Sequence, residues 1–156
     1  MTLYLMQHGE AVSKEVDPER PLTELGIAEV TRVARAAQTA GVSVTSIHHS
    51  GKLRAQQTAE LVAKELHLAA PPATLEGLAP NDDPNVVVGA LASLESPAML
   101  VGHLPHMSRL CSLLLTGDAE LQPVKFRMGG IVHLSKDDVG IWRVAWMLTP
   151  DVIPSM

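Results

Sequence analysis

A histidine followed by glycine at the end of a short apolar run is a place where chemistry can be done. Leu3 to Gln7 reads as a buried strand, and the chain must turn at His8-Gly9. Gly9 permits a tight turn and lets another group approach the backbone beside His8. A neutral imidazole nitrogen is a nucleophile able to attack phosphorus. Two more polar clusters follow apolar runs: His48-His49-Ser50-Gly51, with Arg54 one helical turn on, and Gly102-His103-Leu104-Pro105. Arg54 falls in the first turn of its helix, where a cation gains nothing from the helix dipole. The placement makes sense if an anion sits there, met by backbone N–H groups and the guanidinium. His8 as attacking group, His103 as donor to the equatorial oxygens and Arg54 as fixed charge supply what phosphoryl transfer needs.

The elements that must position these residues are legible in the pattern. Thr23 reads as an N-cap, with Ile27, Val30, Val33, Ala34 and Ala37 at helical spacing until Gly41. Val44 to His48 reads as a second strand, and Ser50 as the cap of a helix with Leu53, Ala59, Val62 and Leu66 inward. Pro71-Pro72 opens a loop that runs to Asp83-Pro84, an N-cap followed by proline at the first helical position. Ala98 to Val101 is a third strand. Pro105 starts a helix with Met107, Leu110, Cys111 and Leu114 inward. Ile131–Leu134 and Ile141–Met147 read as a hairpin around the Lys136–Gly140 turn.

Strands alternating with helices predict an α/β fold, a mainly parallel central sheet flanked by helices on both faces, closed by an antiparallel C-terminal hairpin. Ligands of such sheets bind outside the carboxyl ends of the strands, where His8, Arg54 and His103 converge. With no repeat and no linker composition, residues 1–156 are expected to form a single domain.

Composition narrows the partners. Twelve Lys and Arg against 17 Asp and Glu leave a net charge of −5, which argues against general nucleic-acid binding. No apolar run approaches the ~20 residues of a membrane helix. The N-terminus lacks a secretory pattern and the lone Cys111 can form no internal disulfide, so the expected compartment is the cytoplasm. His48-His49 and His103-x-x-His106 are weak metal patterns without a Cys pair or a His-Glu-x-x-His helix, and no metal or other cofactor is expected.

Four segments together carry a resemblance: Gln7-His8-Gly9-Glu10, Arg20-Pro21-Leu22-Thr23, Ser50-Gly51-Lys52-Leu53-Arg54-Ala55-Gln56-Gln57-Thr58 and Gly102-His103-Leu104-Pro105. In order and spacing the chain resembles the histidine phosphatase superfamily, which is phosphoglycerate mutase-like in fold. Its short length and its second and fourth segments are most similar to the SixA-type phosphohistidine phosphatases. The resemblance implies a three-layer sandwich and a metal-independent hydrolase in which His8 becomes phosphohistidine. Arg54 and His103, with Gln7 and Arg20, would bind the phosphoryl group. The implied substrate is a His-phosphorylated signalling or phosphotransfer protein.

Gln7 departs from the family's Arg-His-Gly signature, exchanging a charged bidentate fork for a neutral amide. A weakly active or inactive phosphate-binding module is therefore one alternative, and a small-molecule phosphomonoesterase another. Larger relatives supply a Glu as general acid, and here the corresponding loop offers only Glu76, out of register, followed by Asp82 and Asp83. A phosphoramidate needs less help, since imidazole leaves with a pKa of about 6.5. Arg20 could instead pair with Asp17 or Glu24. The short stretch between Gln57 and Pro97 leaves no room for a roof, which predicts a shallow, open pocket.

Overall fold

The computed structural model describes residues 1–154. In chain order its elements are β1 (Thr2–Gln7), α1 (Glu24–Thr39), β2 (Ser46–His49), α2 (Leu53–Glu65), β3 (Ala73–Thr74), α3 (Pro84–Ala90), β4 (Ala98–Gly102), α4 (His106–Thr116), β5 (Ile131–Lys136) and β6 (Trp142–Leu148). They build one six-stranded sheet in the order β3-β2-β4-β1-β5-β6. The first four strands in that order are parallel, and β5 and β6 add antiparallel pairing.

Strand periodicity divides the core into two layers. Tyr4 and Met6 face α1 and α2, where Val30, Val33, Ala59 and Val62 are fully buried, while Leu3 and Leu5 face α3 and α4 through Val87, Met107 and Leu110. Each fully buried aliphatic side chain contributes about 1.5–3 kcal/mol, so the two layers rest mainly on aliphatic side chains, to which buried Tyr4 and Phe126 add. The α/β three-layer expectation with its closing hairpin is the architecture observed.

Several local expectations change. Ile27 is 43% exposed and lies outside the buried stripe of α1. The second strand begins at Ser46, not Val44, and the long loop after α2 contains the two-residue strand β3, which pairs with His48 and His49. Ser50 does not cap α2; Lys52 holds the N-cap position without a side-chain bond. Thr23 and Asp83 do cap their helices, accepting from the backbone N–H groups of Gly26 and Asn85.

The turn after β1 is fastened to the start of α1. The Thr23 hydroxyl donates to the Glu10 carboxylate at 2.6 Å, and the Thr23 backbone N–H donates to the Glu10 carbonyl at 2.9 Å. A Cβ on Gly26 would lie 2.2 Å from that carbonyl oxygen, and one on Gly9 would lie 2.7 Å from Val30 Cγ2. Both glycines are there for close approach of backbone to helix, which fixes the residue between β1 and this turn, His8.

Candidate functional site

Because β4 lies between β2 and β1 and all three run parallel, their carboxyl ends share one edge. His8 follows β1, and its backbone N–H extends the ladder to the Gly102 carbonyl at 3.0 Å. The side chain is 7% exposed. Its Nδ1 lies 2.7 Å from the Gly9 carbonyl oxygen. A carbonyl only accepts, so Nδ1 carries the hydrogen and Nε2 keeps a lone pair. Burial, reinforced by the charges of Arg54 and Arg20, lowers the His8 pKa to about 4 against the opposing pull of the Gly9 carbonyl. At neutral pH the ring is uncharged and nucleophilic.

His103 follows β4 and is 1% exposed, its ring centroid 5.0 Å from that of His8 and tilted by 53°. Its Nε2 shares a hydrogen bond of 2.6 Å with Ser50 Oγ, and its buried Nδ1 has no protein partner. Burial, then the charges of His8, Arg54, Lys52 and His106, lowers its pKa to about 3. The Ser50 hydroxyl bonds this imidazole rather than capping α2, and accepts the Lys52 N–H only at 3.3 Å.

Arg54 is the second residue of α2, and its Nε is buried without a partner. Desolvation, followed by the charge of Arg20, pulls its pKa below the usual arginine value. Arg20 holds a left-handed backbone (φ 50°), a conformation costing about 1–2 kcal/mol outside glycine, and its Nε donates to the Val12 carbonyl at 3.0 Å. It forms no ion pair with Asp17 or Glu24; the Asp17 carbonyl takes its backbone N–H. The two cations thus feel each other's charge, and neither forms an ion pair among the described residues. Gln7 is 9% exposed, and its side-chain oxygen is buried and unpartnered.

Arg20 and Arg54 line an open pocket of about 450 Å³, together with Lys14, Lys52, Asn81 and Asp82. A larger concavity of about 970 Å³ lies between α1 and Ile153-Pro154; neither lining includes His8 or His103, and it is the charges of Arg54 and Arg20, both in the smaller pocket, that act on the His8 ring. Glu76 is exposed and lines neither. His49 is buried, its Nδ1 accepting the Gly51 N–H at 3.0 Å, and His48 is half-buried against Ser46. His67 is exposed, and His133 stacks on Tyr4 inside the sheet. Among the described residues no group of three or more His, Cys, Asp or Glu side chains is placed to hold a metal ion. None of the helices is long and apolar enough to cross a membrane.

Sequence reasoning missed the residues that fasten the site from behind. Thr58 Oγ1 accepts the Gly9 N–H at 3.0 Å and donates to the Arg54 carbonyl at 2.8 Å. Gln57 Oε1 accepts the Leu22 N–H at 2.8 Å. The two bonds that leave α2 join residues 35 and 49 positions apart, so no local pattern announces them.

Known proteins place the chain in a family and share its fold. The family model described as the histidine phosphatase superfamily (branch 1) matches residues 3–80. Phosphohistidine phosphatase SixA of Escherichia coli (strain K12) is 28% identical over 155 residues, covering 96% of this chain and 94% of that protein. An uncharacterised protein of Picosynechococcus sp. is 30% identical over 141 residues, 86% of this chain and 84% of that one. The structure of the protein histidine phosphatase SixA complexed with tungstate superposes with a TM-score of 0.85 at 28% identity, over 97% of this chain and 98% of that one. The chain belongs to the histidine phosphatase superfamily.

Proposed function

We propose that this chain is a phosphohistidine phosphatase, acting as one domain on a His-phosphorylated signalling or phosphotransfer protein of the cytoplasm, through a phospho-His8 intermediate. The observation that carries the reading is the Nδ1 bond to Gly9 in a ring held uncharged, which leaves Nε2 unprotonated within the field of Arg54 and Arg20. In the first step Nε2 attacks phosphorus and the P–N bond of the substrate breaks. The departing imidazole takes a proton from solvent, which its near-neutral pKa makes easy. Arg54, Arg20, the Gln7 amide and His103 hold the phosphoryl oxygens as charge redistributes among them. In the second step water attacks phosphorus, the P–Nε2 bond breaks, and phosphate leaves with His8 restored. The fixed charges come from the chain itself, so the proposal assigns no metal to either step. SixA of E. coli, similar over nearly the whole chain, bears the name of this activity, and a SixA binds tungstate, an oxyanion of phosphate-like charge and shape.

The leaving group separates this reading from a phosphomonoesterase. An alkoxide needs a general acid worth about 10²–10⁴ in rate, and Glu76 is outside the pocket while the Asp82 carboxylate accepts the Ala79 N–H at 3.0 Å. A phosphohistidine peptide should therefore be hydrolysed with a kcat/KM at least ~10²-fold above that for the matching phosphoserine peptide. Equal values would overturn the assignment.

Gln7 bears on a second reading, a module that binds a phosphoryl group and turns it over poorly. With two arginines in the pocket, Gln7→Arg is expected to raise turnover of the phosphohistidine peptide by ~10-fold or less. A rise of ~10³-fold from a barely measurable rate would instead favour the binding module.

A further inference from the structure

The pocket carries more positive charge than a phosphoryl group can use. Its lining has four cations, Lys14, Arg20, Lys52 and Arg54, against the single carboxylate Asp82. A phosphoryl group brings a charge of roughly −2, which Arg20 and Arg54 match. Lys14 and Lys52 are exposed, and neither forms an ion pair among the described residues. Glu15, Asp17 and Glu19 belong to the same loop as Lys14 but line no part of the pocket. On a chain of net charge −5, this lining is a local excess of positive charge.

Resting on the reading above, we propose that Lys14 and Lys52 form a docking rim for a phosphoprotein whose phosphohistidine is flanked by aspartate or glutamate side chains. The two lysines reach the pocket lining from separate segments, the loop after β1 and the N-cap of α2. Carboxylates flanking the phosphohistidine would meet them there. An open pocket suits a partner that brings its own surface, whereas an enclosed one would select a small molecule. Exposed Leu104, next in sequence to His103, offers the same partner an apolar contact. Rim charges of this kind act through encounter rate and partner choice more than through the chemical step. Their effect must fade as salt shortens the range of the field to about 3 Å at 1 M.

The experiment compares two phosphohistidine peptides, one flanked by Glu on both sides and one by Gln, on the wild type and on the Lys14→Gln/Lys52→Gln double variant. At low ionic strength the wild type should prefer the Glu-flanked peptide by ~10-fold or more in kcat/KM. In the double variant, or at 1 M salt, that ratio should fall to about one. Equal wild-type rates on the two peptides would overturn the rim while leaving the phosphatase reading intact. A preference that persists undiminished in the double variant would assign the selectivity elsewhere and overturn it too. Failure of the wild type to hydrolyse either peptide would overturn both proposals together.

Discussion

Replacing His8 by alanine is expected to lower turnover of a phosphohistidine protein by ~10⁴-fold or more, because the group that would form the covalent intermediate is gone. The remaining Arg54, Arg20 and His103 would still hold the phosphoryl group, so binding of an oxyanion should survive the loss of turnover. Since His8 is 7% exposed, alanine also opens a cavity, and a folded control is needed. His8→Asn provides it, keeping a polar side chain near the Gly9 carbonyl and lacking the nucleophilic nitrogen. Both variants should melt as folded proteins and both should fail to acquire acid-labile phosphate during turnover. Wild-type rates in a folded His8→Asn protein would remove the phospho-His8 mechanism.

Acid should cost this protein stability as soon as its buried histidines are asked to take up protons. In the unfolded chain His8 has a pKa of about 6.5, and in the folded state it is lowered to about 4. Between those values the unfolded state binds more protons, so stability rises with pH across the window and is lost as pH falls through it. For His8 alone the span corresponds to about 3 kcal/mol. His103, lowered to about 3, acts in the same direction, as do His48, His49, His106 and His133, each lowered chiefly by burial. The carboxylates whose pKa values are depressed, Asp83 and Asp137, lose their contributions only below the ordinary aspartate value of 3.8, outside this window. Urea unfolding between pH 7 and pH 4.5 should therefore show a steep fall in stability. Saturating phosphate should reduce the fall, because an anion beside His8 favours the imidazolium in the folded state. A flat profile over that range would show that these rings are not held neutral.

The chain's chemistry was legible where it coincides with strand ends. His8, Arg54 and His103 each follow an apolar run, and the rule that ligands meet the carboxyl edge of a parallel sheet brings them together without coordinates. The helices were legible where Val, Ala and Leu repeat at helical spacing, with Thr23 and Asp83 marking their starts. What failed has physical causes. Ser50 has the side chain of a cap and the position of one, yet the imidazole of His103, 53 residues on, takes its hydroxyl. Ile27 fits the period of α1, but the stripe that meets the sheet is narrower than the apolar pattern. β3 consists of two exposed residues and has no periodicity to read. Gln57 and Thr58 lie within the matched segment, but their partners, Leu22 and Gly9, are set by the packing of α2 against the loop after β1. Arg20 had a plausible ion pair close by in sequence, and only the left-handed turn shows that its side chain leaves that pair for the pocket.

Thr58 gives the site a mechanical property as well as a chemical one. A single hydroxyl is tied at one end to the amide next to His8 and at the other to the carbonyl of Arg54. It works as a strut of fixed length between the proposed nucleophile and its principal charge. If α2 shifts or tilts, the turn bearing His8 is dragged with it, and the spacing between attacking nitrogen and guanidinium is preserved. Strain entering through α2 would then move the two as one body, so the reacting geometry tolerates breathing of the open pocket around it.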